Sequence, residues 1–134
     1  MSEVRGRYNL PQGHNKEEMK KQDKEFLTFQ HEFKKWQKIF GLTGYQVYFH
    51  HEPREGCFSA ITIDQSQMLA IVTLNSDVPP EHWRHRNIKE IAKHEALHLL
   101  AGRLQEAALN RYSTEEQILE AAEELVVRLE GLVP

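Results

Sequence analysis

The sequence predicts an α+β domain in which helices pack on one side of a small, mainly antiparallel three-stranded sheet. Three observations carry this expectation. An aromatic stripe at helical spacing runs from Phe26 to Phe40, three short β-prone segments follow between Tyr45 and Leu74, and two further helical segments close the chain. The 134 residues suffice for one domain with a self-supporting core.

Each element follows from its local pattern. Residues 1–15 hold Gly6, Pro11, Gly13 and Asn15 with little periodicity and read as a flexible arm, leaving residues 16–134 as the domain. From Lys16 to Phe40, Phe26, Phe29, Phe33, Trp36 and Phe40 recur at steps of three and four, a core-facing helical stripe. Gly41 stops that helix. Tyr45 to His50, Phe58 to Ile63 and Met68 to Leu74 are rich in β-branched and aromatic residues, separated by turn-forming segments, and read as a meander. Asn75 to Pro80 breaks the sheet. Residues 87–109 are apolar on most sides, the mark of a buried helix. After a turn, Ser113 or Thr114 caps a last helix that ends at Gly131.

Composition narrows the function classes. Hydrophobic residues are 40% and charged residues 28%, with a net charge of -3, so there is no basic footprint for nucleic acid and no polybasic membrane patch. No apolar run approaches the ~20 residues of a membrane span, and the N-terminus lacks a signal-peptide core. Cys57 is the single cysteine, which excludes an intramolecular disulfide and points to a reducing compartment. A soluble, cytoplasmic protein is expected.

The chemical signal is Lys93-His94-Glu95-Ala96-Leu97-His98. On a helix, residues four apart share a face, so both imidazoles can reach one Zn2+ ion. Glu95 is rotated about 100° from His94 and is placed to act as general base on a metal-activated water. The flanks are apolar, and buried polar groups cost free energy unless partnered, which a zinc ion would remedy.

With this segment in place, the chain resembles the zincin superfamily of metallopeptidases. It is similar in particular to the small zincin-like proteins of bacteriophages and bacteria. The resemblance rests on the H-E-x-x-H segment and on the order of the elements around it: a helix ending Trp36-Gln37-Lys38-Ile39-Phe40-Gly41-Leu42, the strands, Ile91 to Leu100, and a last helix with Glu123-Glu124-Leu125-Val126-Val127-Arg128-Leu129-Glu130. It implies a zinc-dependent peptidase whose peptide or protein substrate pairs with an edge strand beside the cleft. Met68 to Leu74 is the matching strand. An alternative is a zincin-fold protein that binds zinc but serves in binding or regulation.

Catalytic zinc usually has three protein ligands and a water. The branch with a third histidine six residues after the second is excluded, because Ala101 and Leu104 stand where its glycine and histidine belong. The other branch takes a glutamate from the following helix, where Glu115, Glu116, Glu120, Glu123 and Glu124 are available. Glu123 borders the Leu119–Val126 edge of the apolar stripe and is preferred for the metal, with Glu120 and Glu124 as alternatives. Tyr112, His82 and His85 are candidates for stabilising an oxyanion. His50, His51 and Cys57 are read as ordinary strand or surface residues.

Overall fold

The computed structural model describes residues 12–132. Residues 1–11, most of the expected arm, lie outside the described residues. The first helix, α1, spans Gln12–Ile39 and so begins ahead of the expected Lys16. Strands β1 (Gln46–Glu52), β2 (Ser59–Asp64) and β3 (Leu69–Asn75) follow, then a short 3-10 helix at Pro80–His85, α2 (Ile88–Leu109) and α3 (Glu115–Glu130).

Helix α1 ends as its sequence requires. The amide of Leu42 donates to Gln37 O at 2.8 Å, with Gly41 between them at φ +70, a left-handed conformation that glycine adopts without a Cβ penalty. Gln37, buried beneath this turn, donates from Nε2 to the carbonyls of Leu42 and Tyr45. The predicted stripe faces inward: Phe29 and Phe33 are fully buried, and the Phe33 ring meets Phe49 of β1 edge to face.

The sheet corrects the expected meander. Its order is β1-β3-β2, with β1 parallel and β2 antiparallel to β3. It is therefore a mixed sheet, one pair of each kind. The last strand, Leu-Ala-Ile-Val-Thr-Leu-Asn, is the most continuously apolar of the three and takes the centre, where Ala70, Val72, Thr73, Leu74 and Asn75 are buried. A central strand has a neighbour along each edge and is the most shielded of the three, whereas β1 keeps the alternating pattern of an edge. Phe49 and Ile61 flank Val72 in the two registers. Met68 to Leu74 is consequently no edge strand, and both its sides are already hydrogen-bonded. The two edges of the sheet are β1 and β2.

Asn87 caps α2, its side chain accepting from the amide of Glu90 at 3.1 Å. The helix is buried on one side rather than all round: Ala92, Ala96, Leu99 and Leu100 join the core while Leu97 and Leu109 are exposed. Thr114 and Gln117 form a reciprocal capping box at the start of α3. Helix α3 packs on α2, burying Ala121 with Leu125 and Leu129 partly covered, and leaves Leu119, Val126 and Val127 exposed. No helix among the described residues is long and apolar enough to cross a membrane.

Candidate metal centre

One turn of α2 separates His94 from His98, and both side chains are exposed on the face that looks toward β2. Their Nε2 atoms are 3.1 Å apart and the rings meet at 83°. Two nitrogens each about 2.0–2.1 Å from one tetrahedral ion sit roughly 3.3 Å apart. The pair therefore fits a single zinc ion with little adjustment. Without an ion, the same spacing suits a hydrogen bond between two neutral imidazoles in opposite roles.

Glu95 points along a different side of the helix and is only 4% exposed. Its Oε2 accepts a hydrogen bond from the hydroxyl of Ser59, the first residue of β2. Buried charge needs such a partner. Together these residues line a cleft of about 750 Å³ between α2 and β2, with Ala60, Ile61 and Ile63 on the strand side and Glu106 and Asn110 at one end.

The closeness of α2 to the sheet is set at Gly102. A Cβ there would meet Gln65 Nε2 at 2.6 Å and Ile63 Cδ1 at 3.1 Å. Gln65 accepts a hydrogen bond from the Tyr45 hydroxyl, and burial, the largest cause, together with the nearby Glu124 carboxylate raises the pKa of that phenol. At the other end, Ser59, His94 and Glu95 also line a smaller depression that adds Cys57, Glu90 and Ile91. That depression shares Cys57 and Phe58 with a third one containing Val78, Pro79 and His82. The hollows thus share lining residues along β2 and the loop before it, with the histidines near the middle.

Glu123 is not brought to this site. It lines a separate shallow depression with Glu115, Glu116, Leu119 and Glu120. Glu124 pairs with Arg103. At 100° per residue, Arg103 lies 140–180° around α2 from the two histidines, so the body of α2 stands between them and α3. The structure thus groups neither Glu123 nor its alternatives Glu120 and Glu124 with the two histidines. Among the described residues, no group of three or more His, Cys, Asp or Glu is placed to hold a metal ion.

The other candidates sort by position. Tyr112 is 80% exposed and is not among the residues lining the cleft. His82 lies in the third depression. The side chain of His85 is outside the described residues. His50 is exposed, and His51 stacks on Phe26 with ring centroids 4.7 Å apart. Cys57 is exposed. Ser59 is the site residue that sequence patterns do not reveal: a serine opening a strand carries no motif, and its bond to Glu95 spans 36 positions.

No family model, curated protein or solved structure matches the chain.

Proposed function

We propose that this protein is a zinc-dependent peptidase in which His94 and His98 hold the ion and Glu95 is the general base. The observation that carries the reading is the 3.1 Å separation of the two Nε2 atoms on a face open to a cleft, with a buried carboxylate beside them. When bound, zinc acidifies a coordinated water to a pKa of about 7 and polarises the substrate carbonyl. Glu95, held through Oε2 by Ser59, has Oε1 to accept a proton from the attacking water and to return it to the departing amine. The substrate is an extended peptide lying along β2, an edge strand whose Ser59, Ala60, Ile61 and Ile63 line the cleft.

A second reading is favoured by the absence, among the described residues, of a third protein ligand grouped with the histidines. In it the chain binds zinc, through two histidines and solvent, and serves in binding or regulation with little hydrolysis.

One experiment separates the two. Purified protein is loaded with zinc at neutral pH, desalted, assayed for metal, and incubated with a peptide library. The peptidase reading expects about one zinc per chain and cleavage that Glu95→Gln lowers by about 10²–10⁴-fold while keeping the metal. Stoichiometric zinc without cleavage supports the second reading. Loss of zinc on desalting ends both.

A further inference from the structure

We propose that Ser59 is the positioning residue for the general base, fixing the Glu95 carboxylate from the edge of the sheet. The inference rests on the peptidase reading above. The Ser59 hydroxyl is the protein donor to Glu95 among the described residues, and it joins β2 directly to α2 by a side-chain bridge. Ser59 is paired with Leu74 of the central strand, so the donor is carried on hydrogen-bonded backbone rather than on a loop.

A glutamate has three rotatable side-chain bonds, and α2 by itself determines only the direction in which Glu95 leaves the helix. Engaging Oε2 selects one arrangement and leaves Oε1 for the proton. Ser59 also lines both hollows that meet at His94 and Glu95, so its hydroxyl lies where the edge strand meets the base. A misplacement of about 1 Å in such a constellation costs about 10²-fold in rate, so the loss of this single donor is measurable. Ser59 itself touches no reacting atom in this scheme.

The test compares the zinc-loaded full chain with Ser59→Ala and Ser59→Thr, using whichever library peptide the parent cleaves. Ser59→Ala is expected to lower kcat by about 10–100-fold while KM and zinc affinity stay within about twofold, and Ser59→Thr, which keeps the hydroxyl, restores most of the rate. A second readout needs no metal. In zinc-free protein labelled with carboxyl-13C glutamate, the Glu95 signal, identified by its loss in Glu95→Gln, shifts in Ser59→Ala and returns toward the parent position in Ser59→Thr.

Parent-like kcat in Ser59→Ala, or an unmoved Glu95 signal, overturns the proposal. So does an equal loss of rate in both variants accompanied by a lower melting temperature, which marks a purely structural role. Failure of the underlying reading looks different, because it shows in the parent: zinc-loaded protein that cleaves nothing, or Glu95→Gln that cleaves as well as the parent, removes the base and the need to position it.

Discussion

The Nε2 atoms of His94 and His98 stand 3.1 Å apart on one face of α2, while α3 packs against another side of the same helix. Zinc affinity should therefore depend on the pair and not on α3. His98→Ala is expected to weaken zinc binding by at least about tenfold, roughly 1.4 kcal/mol, and Glu123→Ala to leave it within about twofold. Competition with a chromophoric chelator measures both. Equal weakening by the two variants would show that α3 swings round to the metal when it binds.

Gly41 is held at φ +70, and a Cβ there would come within 2.8 Å of Arg128 Nη1. That nitrogen donates to Phe40 O at 3.0 Å and to Gly41 O at 2.7 Å, tying the end of α3 to the end of α1. Gly41→Ala adds left-handed strain of about 1–2 kcal/mol and pushes the guanidinium off its carbonyls. Urea unfolding should show a loss of about that size or somewhat more. Unchanged stability would mean that the turn relaxes without cost.

Burial is the largest cause that lowers the pKa of His51, and Arg86 lowers it further, against Asp23 and Glu25, which raise it. Its imidazole lies flat against Phe26. The folded protein thus binds the His51 proton less readily than the unfolded chain, whose value is about 6.5. Stability from this group is fully present above pH ~6.5 and is lost as pH falls through the lower folded value. With eight histidines in the chain, the effect must be read as a difference. Subtracting urea curves of His51→Gln from those of the parent between about pH 5 and 8 should give a term that shrinks on acidification. A difference constant across that range would show that His51 does not couple to folding.

Much of this molecule was legible one segment at a time. The stripe from Phe26 to Phe40, the stop at Gly41, the helix bearing His94, Glu95 and His98, the cap at Thr114 and the end at Gly131 all follow from local rules of periodicity, capping and backbone freedom. The spacing of the two histidines is local too, because one helical turn sets it. The arrangement of the strands is not. Three β-prone segments in a row suit a meander as well as the observed order, and only assembly of the sheet puts β3, the most continuously apolar strand, in the shielded centre beside a parallel neighbour. The same holds for the surroundings of the site. The apolar stripe of α3 says which side of it is buried but not which side of α2 receives it, so Glu123 looked available and is not near the histidines. Ser59 and Glu95 meet across 36 positions because β2 and α2 pack together, a contact that exists only once the tertiary structure has formed.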